Sequence, residues 1–152
     1  MNELLTLSEN IAREAHAGQM YDVRDYVDAH VAPVAGLIAM MGYGEDYQMV
    51  GWLHDVPEDS NISVEELKKR GIPNPVADAV ELLRKRGESH EVYLGQIATN
   101  SLAIVGKYAD SSINLANTIL NATEIDPLKR KRWFNTYSGN TAFLFPLLPT
   151  IE

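Results

Sequence analysis

Apolar residues recur at helical spacing along almost the whole chain, and that spacing restricts it to packed helices. Leu4, Leu5, Ile11, Ala12 and Ala15 form a first stripe, which ends near Gly18, a residue suited to the position just past a helix. Val31, Val34, Ala35, Leu37, Ile38 and Met41 form a second. Asp28 is its candidate cap, Pro33 falls in its first turns, and Gly42 and Gly44 end it. A third helix is expected over about residues 45–55, stopping or bending at Glu58–Asp59 because Pro57 disfavours a helical Val56. Ser63 with Glu66 reads as a capping box for a short helix ending at Gly71. Asn74–Pro75 reads as the cap and first residue of another, with Val76, Ala77, Val80, Leu82 and Leu83 inward. Ser89 opens a short helix, Asn100 or Ser101 a longer one, and Asp126–Pro127 a last one that Ser138–Asn140 is expected to interrupt. Alternating β-branched runs between hairpin turns are absent from the sequence. The expectation is an all-α bundle of seven or eight helices. It forms one domain over 1–152, with a motif-bearing core at about 15–117 and a C-terminal helix and apolar tail at about 126–152.

The 152 residues, 45% of them apolar, suffice for a single buried core. No apolar run approaches the ~20 residues of a membrane span. The N-terminal stretch carries acids and no basic region, so it reads as a mature cytoplasmic helix rather than a secretory signal. With no cysteine, any metal must be held by His, Asp or Glu. The net charge of −8 disfavours nucleic acid and anionic membranes as partners. It leaves room for a small phosphorylated substrate, because a bound dication and a few local bases can invert the field in a cleft.

The stretch Gly51–Asp59, GWLHDVPED, is where such chemistry would centre. His54 and Asp55 are adjacent, and imidazole with carboxylate suits a divalent first-row metal. Glu58 and Asp59 follow, able to position a water or move a proton. Solvated acids at a helix end are the plain alternative. His30 begins the second helical stripe and Asp110 lies inside the long helix, with Lys107 and Asn114 on its face. Taken singly, Asp110 reads as the partner of Lys107 and His30 as a core or capping residue. Yet Lys, Asp and Asn on one face of an apolar helix are costly to bury unpaired.

The order His30, His54–Asp55, Asp110 resembles the H…HD…D motif of the HD-domain metal-dependent phosphohydrolases. Ala15–Gln19, AHAGQ, followed by His30, looks like the opening of the RelA/SpoT-type hydrolase domain. Leu53–Asp59, LHDVPED, is similar to that group's HD-plus-ED box, and residues 84–117 resemble the stretch that runs through the last ligand. The resemblance implies a helical domain holding one divalent ion, manganese above others, at His30, His54, Asp55 and Asp110. It implies that Glu58 and Asp59 orient or activate the attacking water. Lys107 and Asn114 would face the substrate, and Gln19 would lie in its cleft. The implied reaction is hydrolysis of a phosphate ester or pyrophosphate bond in a nucleotide, with guanosine 3′,5′-bis(diphosphate), ppGpp, as the named candidate.

The chain departs from that pattern at Met20–Val27, where the family's arginine–lysine pair and Gly-x-Pro-Tyr turn are missing. Arg24 is the sole base there and the candidate substrate contact in that pair's place, with Arg13 nearby. Ser111 stands where an arginine often follows the aspartate. A phosphomonoesterase acting on ordinary nucleotides is therefore a second reading. A metal-bearing nucleotide sensor without chemistry is a third, opposed by the intact Glu58–Asp59 pair. His16 is a candidate hydrogen-bonding neighbour of the site, and His90 a surface residue. Arg84–Arg86 and Lys129–Arg132 read as solvated helix ends. Trp52 is expected in the core, and the tail Phe143–Leu148 packs over the bundle or forms a homodimer contact.

Overall fold

The computed structural model describes residues 2–121 and 123–151; Met1, Ala122 and Glu152, which the expected domain bounds include, lie outside the described residues. These residues form nine α-helices, one π-helical turn and one 3-10 turn, with a single isolated bridge between Met20 and Asp25. Helix α1 (Glu3–Ala15) is capped by the Asn2 side chain, and Gly18 takes the left-handed φ of 78° that ends its run. A π-helical turn, Val27–Val31, then feeds directly into α2 (Ala32–Met40). The cap is Asp25, not Asp28. Winding starts earlier than the apolar stripe, so the orphan N–H groups of Val27 and Asp28 donate to the Asp25 carboxylate at 3.0 and 3.2 Å.

Helix α3 (Glu45–Leu53) stops short of its expected end. The chain turns at His54–Asp55 and restarts as the one-turn α4 (Val56–Asp59). Val56 is thus helical, contrary to expectation. Pro57 sits in a first turn, where its missing N–H is not needed, so it starts a new helix instead of ending the old one. This extra element is why the helices number nine. In α5 (Val64–Lys69) Ser63 caps the Glu66 N–H at 3.1 Å, but the Glu66 carboxylate takes Arg70 rather than reaching back. Helix α6 (Asn74–Leu83) begins one residue before the expected position, with Pro73 as cap.

Ser89 caps α7 (His90–Ile97), Asn100 caps α8 (Ser101–Leu120) and Asp126 caps α9 (Pro127–Leu144). Helix α9 runs unbroken through Ser138–Asn140. Asn140 is buried there, donating to Ser111 Oγ at 3.1 Å and pairing with His90 at 2.7 Å, so the polar run is held inside the bundle. Arg84 and Arg86 both pair with Glu81.

Helices α3 and α8 are central. Helix α3 touches α1, α2, α6 and α8, while α8 touches α2, α3, α6 and α9. Two glycines permit this. A Cβ on Gly51 would stand 2.8 Å from the Ala35 Cα, and one on Gly106 would stand 2.7 Å from Val50 Cγ1. Helix α3 is pressed between α2 and α8 at these points. The consequence is positional: the π-helical turn, the end of α3 and the middle of α8 meet in one seam.

Candidate metal centre

His30 comes from the π-helical turn, His54 and Asp55 from the break after α3, and Asp110 from α8. The four offer ligand atoms that all lie within 4.8 Å of one another. His30 Nε2 is 3.2 Å from His54 Nε2, 3.0 Å from Asp110 Oδ1 and 3.6 Å from Asp55 Oδ2. His54 Nε2 is 3.0 Å from Asp55 Oδ2 and 3.5 Å from Asp110 Oδ1. Donors bonded at ~2.1 Å to a common ion stand roughly 3–4 Å apart, so these separations fit a single small cation. Buried imidazole and carboxylate donors with no thiolate suit a first-row divalent ion.

The neighbours orient the donors. His54 Nδ1–H donates to the Gly51 carbonyl at 2.7 Å, which turns Nε2 toward the seam. Tyr26 OH donates to Asp55 Oδ2 at 2.6 Å. Lys107 Nζ and Asn114 Nδ2 donate to Asp110 at 2.8 and 3.0 Å. The Tyr21 ring stacks on His30 at 5.7 Å, and its OH donates to Asn114. His30 Nδ1 is buried without a partner among the described residues.

Charge is set by these contacts. Burial alone would lower the His54 pKa, but Asp55 and Asp110 override it and hold it well above its usual value. Burial alone would raise Asp110, but Lys107 and the two imidazoles pull it well below the carboxylate range. A dication can replace the protons that the imidazoles share with the two carboxylates.

The seam opens into a cleft of about 210 Å³, onto which Glu58, Lys85, Tyr93, Lys107 and Tyr137 also face. Glu58 is exposed, and its pKa is raised by partial burial first and then by the Asp55 and Asp59 charges. Its carboxylate accepts from the Lys85 N–H at 3.3 Å. Asp59 stands to one side, accepting from Gln19 Nε2 at 3.1 Å; Gln19 Oε1 in turn accepts from His16 Nδ1 at 2.8 Å. Arg24 lies away from the cleft, held by Asp22 at 2.7 Å, and Arg13 is taken by Glu9 and Asp28.

The sequence marks Lys85 only as part of a basic helix end, yet its backbone holds Glu58 and its ammonium lies 5.5 Å from the centre of the Tyr93 ring. Lys107 reaches the same ring, also at 5.5 Å from its centre. Burial pushes the Tyr93 hydroxyl up to about 12, so it stays neutral beside the two cations.

A solved structure resembles this arrangement of helices: a metazoan ortholog of SpoT that hydrolyzes ppGpp and plays a role in starvation responses. It covers 95% of this chain and 86% of that one, with a TM-score of 0.78 and 23% identity. The two share one fold. At this identity the SpoT ortholog speaks for the helical architecture, which is the all-α bundle expected from the apolar spacing. No family model and no curated protein matches the chain. No helix among the described residues is long and apolar enough to cross a membrane.

Proposed function

We propose that the chain is an HD-type, divalent-metal-dependent phosphohydrolase acting on a nucleotide. One observation carries the reading: four ligand atoms from three separate elements converge beside a carboxyl of raised pKa and two lysines. His30, His54, Asp55 and Asp110 would hold the ion, with manganese the first to test. A divalent ion held there would supply Lewis acidity and would bring a water into the nucleophilic range near neutral pH.

The chain's own residues do the rest. Glu58 accepts the proton of the attacking water, and its raised pKa suits a base working near neutrality. Asp59, fixed by Gln19, keeps that carboxylate from turning away through mutual repulsion. Lys107 and Lys85, both beside Tyr93 in the cleft, steady phosphate oxygens. Asn114 contacts the substrate, and Tyr26 holds Asp55 in register.

The deciding experiment is a substrate panel with manganese. Pyrophosphate released from ppGpp identifies the alarmone activity that the SpoT ortholog carries. Orthophosphate released from ordinary nucleotides identifies the phosphomonoesterase, a reading favoured by the engagement of Arg24 with Asp22. Tight nucleotide binding without turnover identifies the sensor. The exposed Phe143, Phe145 and Leu147 make the tail the proposed homodimer contact, to be checked by sedimentation over a range of concentrations.

Two outcomes are expected within this reading. Lys85→Ala raises KM about tenfold with kcat little changed, because it removes a charge that grips the ground state and transition state alike. An unchanged KM would remove Lys85 from the phosphate contacts. Glu58→Gln lowers kcat about a hundredfold or more. For a carboxyl with a higher pKa folded than unfolded, the folded state binds more protons in between. Stability therefore falls as pH rises from the ordinary glutamate value through the raised one. At neutral pH the Glu58 charge is a cost, so Glu58→Gln melts no lower than the parent and loses the acidic limb of the pH–rate profile. A parent-like profile in that variant would reject Glu58 as the base.

A further inference from the structure

Four tyrosines, Tyr21, Tyr26, Tyr93 and Tyr137, line the cleft and a second cavity of about 440 Å³ beside it. Three of their hydroxyls are committed. Tyr21 donates to Asn114 at 3.1 Å, Tyr26 to Asp55 at 2.6 Å and Tyr93 to the Leu83 carbonyl at 2.6 Å. Tyr137, on α9, is half-buried, and its hydroxyl has no hydrogen-bond partner among the described residues. Its helix is pinned next to the metal centre. One turn further on, buried Asn140 donates to Ser111 Oγ at 3.1 Å, and Ser111 directly follows Asp110. His90 pairs with the same Asn140 at 2.7 Å. Tyr137 borders both spaces, whereas Glu58 borders the cleft alone. Burial, and then the Asp110 charge, raise the Tyr137 pKa, so the phenol keeps its proton at neutral pH.

Displacement at phosphorus is in line, so the leaving oxygen departs on the side away from the attacking water. With Glu58 activating that water, the ester oxygen leaves toward the end of the cleft that Tyr137 shares with the second cavity. A ribose alkoxide is a strong base and takes up a proton as it departs. We propose that Tyr137 is a further catalytic residue, the general acid that protonates the leaving sugar oxygen. The P–O bond breaks with its electron pair on that oxygen, and the phenolic proton moves to it. The phenolate regains a proton from water, and the proton that Glu58 took neutralises the hydroxide so formed. The inference rests on the phosphohydrolase reading and deepens it. The bond cut is a sugar ester rather than a link between two phosphates, because a departing phosphate needs no such acid.

The test compares Tyr137→Phe with the parent, both with manganese, on ppGpp and on guanosine 5′-monophosphate. Each is also supplied as the analogue with sulfur in place of the bridging ester oxygen. The nucleotides leave a ribose alkoxide, the analogues a thiolate, which is a much weaker base. On whichever nucleotide the parent cleaves, kcat in Tyr137→Phe is expected to fall about a hundredfold with KM nearly kept. On the matching sulfur analogue the variant should stay within about threefold of the parent, because that leaving group needs no acid. The phenyl ring keeps the packing, so the variant should melt like the parent. An equal loss on both esters makes Tyr137 a packing residue, and no loss on either removes it from the chemistry. Each of these overturns the inference and leaves the phosphohydrolase reading intact. A parent that cleaves neither nucleotide overturns both.

Discussion

An Asp55→Ala protein is expected to fold and to hydrolyse nothing. Asp55 lies at the break between α3 and α4, its side chain 17% exposed, with Oδ2 3.0 Å from His54 Nε2. Removing it takes away one of four donors and half of the negative charge that would attract a dication. Activity is expected to fall by about three orders of magnitude, the scale on which losing a preorganised electrostatic group acts. The folded state loses less. Relief of the repulsion between Asp55 and Asp110 offsets only part of what is lost, because Asp55 also attracts His54 and accepts from Tyr26 OH. Melting in chelator should therefore fall by a few degrees while the fold is kept. With manganese the two should part. An ion at a hundred times its Kd stabilises the parent by about 2.7 kcal/mol, or roughly 5–10 °C in Tm. The variant should show no such gain. Full activity in Asp55→Ala would reject the ligand set.

The second large effect is on stability and comes from a residue without a side chain. Gly51→Ala should cost about 2–3 kcal/mol. The added methyl would meet the Ala35 Cα at 2.8 Å, Ile38 Cδ1 at 2.9 Å and the Ala35 N at 3.1 Å. Two of those atoms are backbone, so a rotamer change cannot relieve the clash. Helix α2 must move, and the π-helical turn bearing His30 is joined to it. Tm should drop by roughly 5–10 °C, and manganese should raise it less than in the parent, because His30 and His54 no longer meet. Gly36→Ala, on the same helix α2 with nothing within 4 Å of its Cβ, is the control. It should gain about 0.5–1 kcal/mol from helix propensity alone. A Gly51→Ala protein that melts like the parent would show that α2 and α3 can separate freely.

These two sites show what residue order discloses and what it hides. His54–Asp55, His30 and Asp110 could be picked out because their types are rare on apolar helix faces and their order is informative. Helix existence could be read for the same reason, since the apolar period is physical. The break at His54–Asp55 could not. Pro57 suits a first turn as well as it ends a helix, and only the packing of Val56, fully buried, decides between them. The π-helical turn has no signature in Val27–Val31. Lys85 was hidden because its partner, Glu58, lies 27 residues away and the pairing uses a backbone N–H. Gly51 looked like any small residue until Ala35 was placed against it. Arg24, the sole base in its loop, reads from sequence as a substrate contact. Asp22, two residues before it, was the closer competitor.

The early stop of α3 has a consequence for the order of events. Peptide dipoles along a helix add up to roughly half a negative charge at its C-terminal end. That end is the one turned toward the seam, since His54 caps α3 and is bonded to the Gly51 carbonyl. The helix field thus adds to the two carboxylates in drawing a cation and in repelling an anion. Lys85 and Lys107 counter that field at the cleft wall, and an ion in the seam would tip it toward an anion. On the proposed reading, nucleotide affinity is therefore expected to rise once the ion is seated.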